Sequence, residues 1–314
     1  MIADLSNVSP TAALLGAAVG LVLGLTGAGG GIFAVPALVF GLGWGVSQAG
    51  PVALLAVGAA AAVGSVQGLR AGLVRYRAAM LMAGIGVGVA PLGTWLAHRL
   101  PERWLVGLFA LAMLIVATRM YRASRGLAAN AAKAVSVVNQ PGSEAANSSD
   151  HQAATEVANQ AANRAANRAA SKTSEAMPPC RLNPATGRLH WTPRVAGVLG
   201  AIGAVSGFAS GLLGVGGGFV IVPALRRFTD ITVHGVVATS LFVIALISAG
   251  TVANAWWQGM HPGAQGWVFV VGAVAGMLLG RALAPRLAAS RLQQIFSTLM
   301  AAVAIGMLVK AFGA

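Results

Sequence analysis

The chain has 314 residues, of which 57% are hydrophobic and only 9% charged, and its mean hydropathy is +0.76. Soluble domains carry about 25% charged residues, so an ordinary soluble fold is excluded and a polytopic membrane protein is expected. The 21 Lys+Arg against 7 Asp+Glu could signal nucleic-acid binding. The arginines instead sit singly or in small clusters between apolar runs and build no basic face, so membrane topology accounts for them and nucleic acid is not an expected partner.

The N-terminal stretch "MIADLSNVSP" has no Lys or Arg, so the basic start of a signal peptide is missing, and the membrane region is read from Thr11 onward. Apolar runs then cover 11–25, 29–44, 48–69, 78–98 and 104–121. The last three are long enough to cross a bilayer, which takes about 20 residues; the first two are short and flank a glycine cluster. Residues 11–121 are therefore expected to form one membrane repeat. Residues 122–194 carry nine basic and four acidic residues and low-complexity text such as "AANQAANRAANRAAS". They are expected to be a disordered cytoplasmic linker. It contains the single cysteine, Cys180, which can form no intrachain disulfide and is too little for a metal site. A second membrane repeat, 195–312, follows with runs 195–212, 216–225, 235–257, 266–284 and 292–312.

The two halves share a motif. "GLTGAGGGIFAVPAL" (24–38) and "GLLGVGGGFVIVPAL" (211–225) align without a gap at an offset of 187. The offset persists: Leu54 pairs with Leu241, Gly72 with Gly259, Gly93 with Gly280, Phe109 with Phe296 and Met113 with Met300. Such a register argues for duplication of one structural unit. Glycine weakens helices, and proline is best tolerated in a helix's first turn. Each cluster therefore marks a break, with a half-helix starting near Gly31–Val35 and Gly218–Val222 and carrying Pro36 or Pro223.

Charge separates two arrangements. If each pair of short runs is a re-entrant hairpin, each half makes three crossings and the second half is inverted. Arg70, Arg75, Arg77, Arg119, Arg122, Arg226, Arg227, Arg281, Arg286 and Arg291 then share the cytoplasmic side with the linker, and both termini lie outside. If each pair makes one broken crossing, the halves are parallel. The inverted plan fits the arginines better and is a known transporter architecture.

Inside a membrane, broken backbone is tolerated only where protein or a polar cavity surrounds it. A helix N-terminus there offers unpaired N–H groups and a positive dipole end, which suit an anion. The candidate substrate-binding residues are Gly29, Gly30, Gly31, Gly216, Gly217 and Gly218, with Thr239, Ser240 and Asn254 as side-chain donors. Close helix packing is an equally open explanation of the tip glycines. Ser65, Gln67, Thr94, Ser206, Ser210, Ser248 and Thr251 are further polar residues inside the runs, and Thr26 directly follows the first run. None of the seven acids lies inside a run, so neither an intramembrane carboxylate path nor a metal or aspartyl active site is expected. Without a Walker motif the chain does not hydrolyse ATP itself. No cofactor, metal or catalytic residue is expected.

The paired G-x-G-G-G-x-x-x-x-P, at Gly27–Pro36 and Gly214–Pro223, with Ala238-Thr239-Ser240-Leu241 after the second, resembles the TauE/SafE sulfite exporter family over about 11–121 and 195–312. The first half lacks the Thr-Ser pair and the linker is long, and both depart from the family pattern. The resemblance implies a multi-pass inner-membrane permease that exports sulfite, organosulfonates or related sulfur-containing anions. The expectation is thus an all-α polytopic membrane protein of two repeats, inverted, moving a small anion by alternating access. The alternatives are a non-transporting membrane scaffold or assembly factor, and a permease for an unrelated anion.

Overall fold

The computed structural model describes residues 10–27, 30–138, 192–229, 232–260, 262–284 and 289–312. Among them are the helices α1 (Pro10–Thr26), α2 (Ala34–Gly41, led by a 3-10 turn at Gly30–Phe33), α3 (Val46–Arg70), α4 (Tyr76–Arg99) and α5 (Glu102–Val138). The second half supplies α6 (Pro193–Leu213), α7 (Gly218–Phe228), α8 (Val233–Trp257), α9 (Ala264–Leu283) and α10 (Ala289–Phe312). The described residues contain no strand. Six helices are long and apolar enough to cross a membrane: α3, α4, α5 over Glu102–Arg122, α6, α8 and α9. The chain is an all-α polytopic membrane protein.

Local chemistry marks several helix starts. Thr192 caps α6 by accepting from the Val195 N–H (3.3 Å), with Pro193 in the first turn, and Thr232 caps α8 through the Gly235 N–H (3.3 Å). Glu102 Oε1 accepts from Val46 N (3.1 Å), which joins the start of α5 to the start of α3. The sequence offset is reproduced in the helix bounds: adding 187 to Val46–Arg70 gives Val233–Trp257, and adding it to Glu102 gives Ala289. α5 differs from expectation, because it continues as helix to Val138, past residue 122, the expected start of the linker. "LAANAAKAV" at 127–135 is rich in alanine, the best helix former. Residues 139–191, with Cys180, lie outside the described residues.

Two glycine seams hold the bundle. Along α1, Gly16, Gly20 and Gly24 abut the backbone of Phe269, Ala273 and Met277 in α9, and Gly272, Gly276 and Gly280 return the contact to Ala13, Ala17 and Leu21. Along α6, Gly203, Gly207 and Gly211 abut Met82, Gly86 and Ala90 in α4, and Gly93 abuts Phe208. The three glycine contacts of the α6 seam are those of the α1 seam shifted by 187. Numbers rise together along each seam, so each pair runs parallel. Lipid tails are as apolar as leucine, so helices in a bilayer associate by close packing, and hydrogen at Cα permits it here.

The central pair α3 and α8 runs the other way. Gly58 meets Ser248, Gly64 meets Leu241 and Gly68 meets Ala238, so numbers fall in one as they rise in the other. Within the first short pair the chain doubles back: Gly30 lies on Leu23 and Gly41 on Leu15. In the second pair Gly217 lies on Ser206.

Following these directions through the connections gives the molecule two unlike ends. The 70–77 loop, the start of α6, Arg226–Arg227 and Arg281 gather at one, here termed the linker end. The starts of α1 and α9 and the 41–46, 99–102 and 257–264 connections gather at the opposite end. Trp44, Trp95, Trp104, Trp256, Trp257 and Trp267 all belong to that opposite end, and all but Trp44 are exposed, as interfacial anchors should be. Arg99 lies over the Trp95 ring at 4.4 Å there.

Candidate functional site

Val57 and Ile244 are each the twelfth of 25 residues in α3 and α8, at the middle of the antiparallel central pair. The two glycine tips meet there. A Cβ on Gly31 would lie 2.9 Å from Val57 Cγ1 and 3.3 Å from the Val215 carbonyl oxygen of the other tip. A Cβ on Gly216 would lie 3.0 Å from Ile244 Cγ2, 3.2 Å from Ser248 Oγ and 3.4 Å from Val57 Cγ1. Gly214, Gly216 and Gly217 hold φ of +70°, +74° and +66°, a left-handed turn that glycine adopts without a Cβ penalty. From that turn α7 starts at Gly218, and its first N–H groups have no intrahelical partner. Pro36 sits in the first turn of α2, whereas Pro223 is the sixth residue of α7, because α7 begins directly at the glycines without a leading 3-10 turn.

The expected site residues divide by what they touch. Gly31 and Gly216 face the junction between the halves. Gly30 and Gly217 are packed within their own hairpins, against the backbone of Leu23 and of Ser206. Gly218 is buried at the start of α7, and Gly29 lies outside the described residues. Thr239 Oγ1 accepts from Arg75 N (3.1 Å), which fixes the entry to α4. Ser240 Oγ donates to Val237 O (2.9 Å) in its own helix, as small hydroxyls commonly do. Asn254 is half-buried and lines neither of the cavities described below.

Three serines that sequence reasoning left among the general polar residues surround the second tip. Ser206 Oγ donates to Gly217 O (3.2 Å). Ser210, one turn further along the same face of α6, and Ser248 are 0% and 1% exposed, and their hydroxyls have no hydrogen-bond partner. A buried hydroxyl without a partner costs about 1–3 kcal/mol. Thr251 avoids that cost by donating to Ile247 O (2.8 Å). Ser248, one turn before the end of that pattern, lies against Gly216 instead. The spacing Ser206, Ser210, Gly214 was the available signal. The positions equivalent to Ser206, Ser210 and Ser248 are Val19, Leu23 and Ala61, so the polar lining belongs to the second half alone.

Two adjoining cavities open at the opposite end. The larger, about 370 Å³, is lined by Trp44, Gln48, Pro51, Val52, Trp256 and Met260 among others. The smaller, about 60 Å³, shares Pro51, Ala255 and Met260 with it and reaches inward past Thr94 and Thr251 to Gly211–Gly214 at the second tip. Among the described residues no group of His, Cys, Asp or Glu could hold a metal ion.

The model of the sulfite exporter TauE/SafE family matches residues 12–307, nearly the whole chain. The chain belongs to the TauE/SafE sulfite exporter family. Two relatives from strains of Xylella fastidiosa, each named "Probable membrane transporter protein", are 27% and 26% identical over 92% of this chain and 91% of their own length. A third, "Probable membrane transporter protein MamO" of Paramagnetospirillum magneticum, is 25% identical over 94% of this chain and 44% of its own length. No solved structure matches. Within this exporter family the chain is a multi-pass membrane transporter, and its duplicated glycine motif forms the meeting point of the two hairpins.

Proposed function

We propose that the chain is a secondary permease for a small anion, with sulfite, an organosulfonate or a related sulfur oxyanion as cargo, exported by alternating access. The observation that carries this reading is the unpartnered Ser248 hydroxyl against Gly216, at the mid-length of the central helix pair where the two tips meet. A buried hydroxyl donor and a helix N-terminus there supply what an oxyanion needs, hydrogen-bond donors in a low-dielectric site without a competing carboxylate. Gly31 and Gly216 let the anion approach the backbone.

Alternating access is supported by the symmetry. A two-fold operation that superimposes α3 on α8 while they run antiparallel must turn the helices over, so its axis lies across them and, for crossing helices, in the membrane plane. That is the inverted-repeat plan. On this reading the arginine-rich linker end faces the cytoplasm of an inner-membrane protein and both termini lie outside, as the excess of arginine at that end favours. The scaffold alternative requires the tips to be closed to solutes.

The test is sulfite flux with purified full-length chain in proteoliposomes. The unsubstituted protein should move sulfite, and Ser248→Ala should lower the flux about ten-fold, the value of one hydrogen bond to a charged group. Absence of flux for sulfite, methanesulfonate and other small oxyanions would sink the permease reading and favour the scaffold.

A further inference from the structure

The residues that line the smaller cavity at the opposite end have counterparts under the 187-residue offset, and one of those counterparts is an arginine. Thr94, Thr251, Leu54 and Gly211–Gly214, which line the cavity, correspond to Arg281, Gly64, Leu241 and Gly24–Gly27. At the linker end the Arg281 side chain reaches from α9 to α3. Its Nη1 donates to Gly64 O at 2.6 Å. A Cβ on Gly64 would lie 3.2 Å from that nitrogen, 3.1 Å from Leu241 Cδ1 and 2.5 Å from Met277 Cε, so Gly64 is the residue that makes room for the guanidinium. Gly24, just before the first tip, abuts the Arg281 backbone N. Gly64 is seven residues from Val57, which places the bond about 10 Å along α3 from the meeting point of the tips.

Among the described residues no carboxylate lies at that end. Glu102 is the one acid among the described residues, and it caps α3 at the opposite end of the molecule. Among those residues the guanidinium, with five donors, makes its one hydrogen bond to a helix carbonyl, which can accept it alongside the helical N–H because it has two lone pairs. A second guanidinium nitrogen at the same end, Arg75 Nε, is buried without a partner. Positive charge inside a membrane protein is costly and marks function, and a planar guanidinium matches a pair of anionic oxygens.

We propose that Arg281 is the anion-coordinating residue at the linker-end mouth of the pathway: it rests on the Gly64 carbonyl while that mouth is shut, and passes to the oxygens of a sulfur oxyanion when the mouth opens. The proposal rests on the permease reading above. It gives a role to the arginine that stands, under the 187-residue offset, where the opposite-end cavity carries Thr94. Conversion between the two conformations requires Arg281 to leave Gly64, and an arriving anion supplies the replacement partner.

The experiment compares sulfite flux for the unsubstituted protein, Arg281→Lys and Arg281→Gln. Arg281→Gln should lower kcat/KM about ten-fold or more, chiefly by raising KM, and Arg281→Lys should restore part of it, since a point charge replaces a bidentate donor. A structural role alone would lower the amount of folded protein and leave KM unchanged. In the unsubstituted protein, phenylglyoxal modification of Arg281, followed by mass spectrometry, should slow in methanesulfonate, which unlike sulfite does not react with the reagent, but not in chloride of equal ionic strength; this holds even if Arg281→Gln fails to insert. Flux in the unsubstituted protein, with KM unaltered in Arg281→Gln or labelling indifferent to methanesulfonate, overturns the role of Arg281 and leaves the permease reading standing. Absence of flux in the unsubstituted protein overturns the permease reading itself.

Discussion

Adjacent glycines in the first motif have different neighbours, and single methyl groups separate their roles. At Gly30 an added methyl meets the Leu23 backbone at 2.5 Å, which cannot move without shifting α1. At Gly31 it meets the tip of the Val57 side chain at 2.9 Å, which can turn aside. Gly30→Ala should therefore lower the thermal midpoint of detergent-solubilised protein, with an overpacking cost of about 1–3 kcal/mol. Gly31→Ala should leave the midpoint nearly unchanged and reduce sulfite flux. Full flux in a stable Gly31→Ala protein would remove the tip from the substrate path. The glycines were legible as special from their repetition alone. Which of them pack and which face the other half was not, because that depends on a neighbour, Val215 or Leu23, brought in by folding.

At the scale of elements, the seams α1–α9 and α4–α6 are the same contact made twice. Gly20 against Ala273 and Gly207 against Gly86 occupy equivalent places, 187 residues apart. Gly20→Leu and Gly207→Leu should each abolish recovery of monodisperse protein, measured by size-exclusion chromatography after detergent extraction, because backbone and not side chain blocks the added group. Tolerance at one seam and failure at the other would show that the two contacts are not equivalent. Glycines four residues apart, as at Gly16/Gly20 and Gly203/Gly207, are a packing signal in the sequence itself. The partner helix is not written there, since a glycine face is compatible with any close neighbour. Thr239 and Ser240 show the converse: their hydroxyls looked available in the sequence, but the loop before α4 and the α8 backbone take them.

For the whole molecule, the proposed inversion of the halves rests on the antiparallel direction of the central pair. With Cys180→Ser as background, Gly58→Cys with Ser248→Cys should form a disulfide on oxidation, as should Gly68→Cys with Ala238→Cys, whereas Gly58→Cys with Ala238→Cys should not. The residues that should cross-link are in contact only if α3 and α8 run antiparallel. A reporter fused at Ala314 should read outside the cell; a cytoplasmic signal would reverse the orientation inferred from the arginines.

Hydrophobic run length and the scarcity of charge by themselves determined a membrane-embedded helical chain, because these quantities are local and lipid imposes the same helical answer on any long apolar run, and the unshifted offset of 187 pointed to duplication of one unit. The glycine clusters likewise marked the breaks, since glycine's lack of a Cβ acts on its own backbone. The meeting of Gly31 with Val215, the unpartnered Ser248 beside Gly216, and Arg281 lying in the space of Gly64 were decided only by tertiary structure. Each joins residues from different halves or different helices, and no local propensity encodes which surfaces folding will bring together.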